Sequence, residues 1–369
     1  MHRMRWDVVC RVVDNYGDAG VCWRLARQLA TEHRLDVTLW LDRLATLAHL
    51  EPSLDPTRSV QASAGVTVRR LVDAAPAPAL PGVVVEGFGC GLPAPWLDAM
   101  ANAAKPPLWI NLEYLSAEPW VDSVHGLASA HPRLPLTRYF WFPGFTARTG
   151  GLIREARLFD HRDAAQSCGR GDASSLGIVL FCYANRALAA LFDAWAEADE
   201  AITCTVPEGV ATAALDAWLH GDVPQAGQSV ARGRLRLDVV PFRTQDAFDR
   251  MLWDADANFV RGEDSFVRAQ WAARPFVWQP YPQAENAHRL KLDAFLSRYA
   301  AALDAETRAA LTAFWRAFDD EDDAGAVATW PAFRASLPSL ATHGRRWAHD
   351  LAALPELTSG LVEFARTRL

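Results

Sequence analysis

Short apolar, β-branched runs alternate with amphipathic stretches along most of the chain. Residues 7–13 (DVVCRVV), 35–41 (LDVTLWL), 66–71, 83–89 and 108–115 have the continuous apolar character of buried strands. Residues 21–33 place apolar side chains at helical spacing, and 93–104 read as a second helix. Between the first strand and the first helix lies a polar loop, 14–20 (DNYGDAG). An aromatic segment, 138–145, ends in a Pro-Gly turn. Residues 161–177 are polar, rich in Gly and Ser, and lack periodicity, which predicts a domain boundary. The alternation then restarts. Strands are expected at 178–185, 202–207, 235–242, 257–262 and 275–280. Helices are expected at 186–198, 210–220, 244–256 and 264–274. Beyond Gln283 the pattern is helical almost to the end, with acidic residues 318–324 as a solvated loop.

Strands alternating with helices imply parallel sheets covered on both faces. The expected α/β architecture is two Rossmann-like domains facing across a cleft, with a helical C-terminal tail. The predicted bounds are 1–165 and 166–345, with a tail at 346–369 placed to pack back on the N-terminal domain. In such sheets ligands bind beyond the carboxyl ends of the strands. That rule selects DNYGDAG in the first half. In the second it selects 181–185 (FCYAN), 241–245 (PFRTQ) and 261–265 (RGEDS).

Composition narrows the classes. Half of the 369 residues are hydrophobic and 22% are charged, so a large core is expected and global disorder is not. A net charge of -7 argues against a nucleic-acid binder. The six cysteines form no C-x-x-C pair and lie mostly in apolar runs, as free thiols of a reducing cytosol do. No signal-peptide pattern precedes the first strand, and no apolar run reaches the roughly 18 residues that span a bilayer. A cytoplasmic protein without membrane attachment is expected.

The first loop lacks the G-x-G-x-x-G of a dinucleotide site, having only Gly17 and Gly20, and its two carboxylates would repel a pyrophosphate. This excludes a dehydrogenase-type cofactor there. Asp14 and Asp18, four residues apart, suit holding a cation or accepting a proton; equally, Asp18 can cap the following helix and Asp14 close a turn. In the second half, Gly262, Glu263, Asp264 and Ser265 stand between a strand and a helix. They can cap that helix or turn its N–H groups to a diphosphate. Phe181, Tyr183, Phe242 and Phe248 are candidates to sandwich a nucleobase, and core packing is their other use. The D-x-D at Asp254 and Asp256 falls at a predicted helix end, the wrong place to hold a metal on a donor diphosphate, so no metal is expected.

Long contiguous segments carry a family resemblance. They are residues 11–30 (RVVDNYGDAGVCWRLARQLA), 143–155 (PGFTARTGGLIRE) and 241–283, which contains RGEDS. With their spacing they resemble the EarP family, the protein-arginine rhamnosyltransferases that mature bacterial elongation factor P. The resemblance implies a B-type glycosyltransferase fold and an inverting enzyme. The implied donor is TDP-β-L-rhamnose, and the implied acceptor is a loop arginine of elongation factor P. It implies catalytic roles for Asp14, Asp18 and Glu263. It implies donor contacts from Phe181, Tyr183, Phe242, Gln245, Phe248, Asp264 and Ser265. Asn15, Tyr16, Asn111, Glu113, Tyr114 and Phe145 are further candidates for acceptor contacts.

The chemistry fits two carboxylates. A guanidinium stays protonated near neutral pH and its lone pairs are delocalised. One carboxylate can fix its plane while the other accepts a proton as the new bond forms. Asp18 is expected as the base and Asp14 as the orienting group, an assignment that can be exchanged. The rival readings are a TDP-sugar glycosyltransferase with another acceptor and a non-catalytic nucleotide-sugar-binding module.

Overall fold

A computed structural model describes residues 4–73, 77–169 and 174–369. The chain divides into two compact units, Met1–Ala156 with Ala352–Leu369, and Arg157–Leu351.

The first unit opens with β1 (Arg5–Cys10), α1 (Asn15–Thr31), β2 (Asp36–Leu41) and α2 (Leu44–Leu50). It continues through β3 (Val60–Ser63), β4 (Val66–Arg70), β5 (Val83–Gly87), α3 (Ala94–Ala101) and β6 (Leu108–Leu112). It closes with α4 (Val121–Val124), β7 (Ala128–Ala130) and β8 (Thr137–Trp141). The sheet order is β3-β4-β2-β1-β5-β6-β8-β7. All pairings from β4 to β8 are parallel, and β3 and β7 close the two edges antiparallel. Apolar runs make this possible, because every residue of β5 and β6 is buried. Chain order reverses between β1 and β5, so the carboxyl ends of those strands flank the switch point where ligands bind.

The second unit repeats the plan. Its elements are α5 (Leu158–Ser167), β9 (Leu176–Leu180), α6 (Ala187–Ala196), β10 (Ile202–Pro207), α7 (Thr212–Leu219), β11 (Ser229–Arg232) and β12 (Leu235–Val240). Then come α8 (Gln245–Asp254), β13 (Ala257–Arg261), α9 (Asp264–Ala272) and β14 (Phe276–Gln279). The order is β11-β12-β10-β9-β13-β14, parallel apart from β11, with its switch point between β9 and β13. Helices α10 (His288–Tyr299), α11 (Ala305–Asp319), α12 (Asp323–Ala335) and α13 (Leu337–Ala352) follow. Aromatic side chains join them to the sheet: Phe259 meets Phe314 and Phe318, and Phe276 meets Phe295, Tyr299 and Trp315. Much of the unusual tryptophan content is spent here, with Trp195, Trp271 and Trp315 fully buried.

The last helix, α14 (Leu357–Arg366), returns to the first unit. Phe364 packs edge-on to Trp141, and the Thr358 hydroxyl donates to Gln28 Oε1 at 2.7 Å. Gly151, at φ +71°, lets the two strands of chain touch, since a Cβ there would strike the Pro355 carbonyl.

Three elements differ from the sequence pattern. DNYGDAG is not a loop, because α1 begins at Asn15 and takes in Gly17 and Gly20. The second unit begins at Arg157, ahead of the expected 165/166 division, because α5 takes in the first part of the polar stretch, as far as Ser167. Residues 170–173 of that stretch lie outside the described residues. The tail that joins the first unit begins at Ala352 rather than 346, since α13 runs on to that residue.

Candidate active site

In the first unit, the segment between β1 and α1 is folded by carboxylates. Asp42, just past β2, accepts from the Val12 N–H at 3.0 Å. Asp18 Oδ2 accepts from the N–H groups of Val13 and Asp14 at 2.8 and 2.9 Å. Asp18 thus lies in the first turn of α1 and reaches back over the helix start, while Asp14 takes the N-cap position without a side-chain capping bond. The Asp14 carboxylate lies over Gly17, where a Cβ would strike its Oδ2. Asp18 is 2% exposed. Burial pushes its carboxyl above the ordinary value, and the nearby Asp42 adds to this. The Val13 and Asp14 N–H groups and the Tyr114 side chain act in the opposite direction. A carboxylate so placed at a switch point has the character of a proton acceptor.

The candidate acceptor contacts divide. Asn111, Glu113 and Tyr114 stand at the carboxyl end of β6, and Tyr114 joins Asp18. Asn111 is 1% exposed: its Oδ1 accepts from Gly89 N–H at 3.0 Å, and its Nδ2 donates to Glu113. Tyr16 turns to α2, edge-on to His49. Phe145 is buried in the segment after β8. The side chain of Asn15 lies outside the described residues.

In the second unit, the ends of β9 and β13 and the start of α8 bring Phe181, Tyr183 and Phe248 together around Arg261. Phe181 packs edge-on to Phe248 at 4.9 Å. The Arg261 guanidinium lies 4.6 Å from the Phe181 ring centre and 4.7 Å from that of Tyr183. Tyr183 N–H donates to Gln279 Oε1 at 2.9 Å. Gln245, 3% exposed at the start of α8, donates to Asp264 Oδ2 at 3.1 Å. The Ser265 hydroxyl accepts from Arg261 N–H and donates to Arg261 C=O, which closes the turn from β13 into α9. Gly262, at φ +56°, makes that turn, and Trp278 Nε1 donates to its carbonyl at 2.8 Å. Glu263 stands at the N-cap of α9. Behind this surface a buried pair, Arg268 and Asp249, ties α9 to α8 with bonds of 3.1 and 2.6 Å. Phe242 is half-buried just past β12.

The D-x-D lies elsewhere. Asp254 and Asp256 line a cavity of about 490 Å³ near the amino ends of β9 and β13, away from the carboxyl-end turn of Glu263 and Ser265. Asp256 Oδ2 accepts from Gly177 N–H at 2.7 Å, so that side chain begins the sheet. Among the described residues no group of three or more His, Cys, Asp or Glu stands together as a metal site.

Residues 6–366 match the family described as Elongation-Factor P (EF-P) rhamnosyltransferase EarP. The chain belongs to the EarP family. A protein-arginine rhamnosyltransferase of Pseudomonas putida is 46% identical to it, with 99% of each chain covered. The solved structure described as the structural basis for EarP-mediated arginine glycosylation of translation elongation factor EF-P is 34% identical. It covers 100% of both chains with a TM-score of 0.70. Acinetobacter baumannii MurG, 14% identical with a TM-score of 0.50 over 99% of each chain, shares the fold alone. The chain is accordingly an enzyme of the protein-arginine rhamnosyltransferase family with a B-type glycosyltransferase fold. No helix among the described residues is long and apolar enough to cross a membrane.

The sequence pattern did not single out Asp42 or Gln279. Each accepts from a backbone N–H and belongs to no chemical motif. The signal available for Asp42 was its position, directly after β2, at a strand's carboxyl end.

Proposed function

We propose that this EarP-family enzyme transfers rhamnose from TDP-β-L-rhamnose to an arginine of elongation factor P, in the cytoplasm, with inversion to an α-rhamnosyl-arginine. The observation that carries the reading is Asp18. It is a buried carboxylate, raised in pKa by burial, fixed by two backbone N–H groups and next in the helix start to Asp14.

Asp14 pairs with the incoming guanidinium and holds its plane. One nitrogen attacks the anomeric carbon of the sugar from the face opposite the diphosphate. The carbon–nitrogen bond forms as the bond from carbon to phosphate oxygen breaks, and the displaced electron pair leaves on TDP. Asp18 takes the proton that the attacking nitrogen sheds as its bond to carbon forms, so the rhamnosylated arginine leaves as a singly charged guanidinium rather than a doubly charged one. A single displacement of this kind inverts the anomeric centre.

The leaving diphosphate gains charge. The first N–H groups of α9, at Asp264 and Ser265, and the Arg261 guanidinium are the groups that stabilise it. The carboxylate of Asp264 is bonded to Gln245, which leaves the helix start to face the oxygens through its backbone. Phe181, Tyr183, Phe242 and Phe248 supply the base-stacking surface, and Glu263 binds the ribose or the sugar. No metal takes part in this scheme.

The test is the structure of the product. Tandem mass spectrometry should place one deoxyhexose on an arginine of elongation factor P. The anomeric proton in the NMR spectrum should report an α linkage. A β linkage would overturn the single displacement, and a sugar on another residue type would overturn the acceptor.

A further inference from the structure

Asp18 receives a third contact from outside its own segment. The bonds from Val13 and Asp14 use one oxygen, Oδ2, and come from residues next to the helix start. The Tyr114 side chain bonds the same carboxylate from the carboxyl end of β6. Its ring is stacked on Phe88, with centres 4.5 Å apart and planes inclined by 18°.

Phe88 occupies an unusual backbone position. It follows β5 at φ +58°, in the left-handed region that bulky residues avoid at a cost of about 1–3 kcal/mol. The turn is held from β6: Phe88 N–H donates to Leu112 C=O at 2.6 Å, and Gly89 N–H donates to Asn111 Oδ1 at 3.0 Å. The strained turn and the strand that restrains it thus together place the Phe88–Tyr114 stack. A ring supported this way, half-buried and bonded to a buried carboxylate, is built to hold that carboxylate still.

We infer that Tyr114 is a positioning residue: seated on Phe88, its hydroxyl fixes the Asp18 carboxylate in the orientation that accepts the proton. The inference rests on Asp18 being the base. It gives Tyr114 a role in the rate of proton transfer rather than in acceptor binding. Among the described residues, titratable groups beside Asp18 include Asp42 from the end of β2, Asp14 at its own helix start and the Cys10 thiol of β1.

Tyr114→Phe keeps the stack and removes the donor. A hydrogen bond to the ionised form stabilises it, so its loss raises the pKa of Asp18. The enzyme needs Asp18 ionised. The acid limb of the kcat profile should therefore move to higher pH by about one unit, the size expected for a bond to a charged group. The KM for elongation factor P should stay unchanged. Phe88→Leu should move the limb in the same direction, and circular dichroism of both variants checks that they fold. In an Asp18→Asn background, Tyr114→Phe should cause no further loss. An acid limb that stays in place while the acceptor KM rises would overturn the inference and make Tyr114 an acceptor contact. Near-normal turnover by Asp18→Asn alone would instead overturn the underlying assignment of the base, whatever Tyr114 does.

Discussion

Asp7 and Asp18 show how burial sets the behaviour of single carboxyl groups here. Asp7 is fully buried in β1, with Arg5 Nε 3.3 Å away. Burial pushes its carboxyl from the ordinary 3.8 up to about 6, against the pull of Arg5. The folded chain therefore holds this proton more tightly than the unfolded chain does. The associated stability is full below pH 3.8 and is lost as the pH rises through about 6. Asp7→Asn is neutral throughout and should lose this slope. Relative to the parent, it should gain on the order of 3 kcal/mol across that window, measured by urea unfolding at a series of pH values. Parallel pH curves for the two proteins would contradict the assignment. Asp18 is also raised by burial, but three bonds restrain the effect and keep a usable carboxylate at the site. Asp14, Asp18 and Glu263 stood out in the sequence as charged residues just after strand patterns, and the catalytic roles proposed for them came from the family resemblance. Their partners were not legible: nothing in the sequence separates Tyr114, bonded to Asp18, from Tyr16, turned to His49.

At the scale of elements, the start of α1 joins stability to function. Gly17 lies within the helix at an ordinary φ, where alanine is favoured by roughly 0.5–1 kcal/mol. An added Cβ would also push Asp14 out of place. Gly17→Ala should therefore leave the melting temperature unchanged or raised while turnover falls. A displacement of about 1 Å can cost on the order of 100-fold in rate. Full activity with raised stability would remove Asp14 from the mechanism. In the second unit, Phe242→Ala or Phe248→Ala should weaken TDP binding by roughly 1–3 kcal/mol, the scale of base–aromatic stacking. Calorimetry showing unchanged affinity in both would return these rings to packing. Strands were the most legible elements, since buried β-branched runs have few alternatives. The helical start at Asn15 was hidden because Gly17 and Gly20 read as a turn. Only the side chain of Asp18, bonded to Val13 and Asp14, shows how that segment becomes a helix. The edge strands β3, β7 and β11 are short and partly exposed, so their pattern is weak.

At the scale of the molecule, two doubly wound sheets each bring candidate site residues to the switch in strand order. One offers carboxylates suited to a cationic acceptor. The other offers rings, a guanidinium and a helix start suited to a nucleoside diphosphate. The α/β class and the doubling of the plan were legible from the alternation of strand and helix patterns. The return of α14 to the first unit is specified by contacts such as Phe364 on Trp141, which no local pattern announces. The D-x-D lies near the amino ends of the second sheet, where Asp256 accepts from the backbone at Gly177. In the proposed scheme the charge on the leaving group is met by N–H groups and Arg261, so turnover should persist in EDTA. Loss of activity in chelator, restored by magnesium or manganese, would contradict the metal-free scheme.

The central claim is that this chain glycosylates an arginine of elongation factor P with Asp18 as base. The most direct measurement is the intact mass of elongation factor P after incubation with TDP-β-L-rhamnose and either the parent enzyme or Asp18→Asn. Removing a general base typically costs about 100- to 10,000-fold. The account predicts a gain of one deoxyhexose with the parent and none with the variant on the same timescale. No gain with the parent, with TDP still bound, would contradict the acceptor, and an equal gain with both would contradict the base.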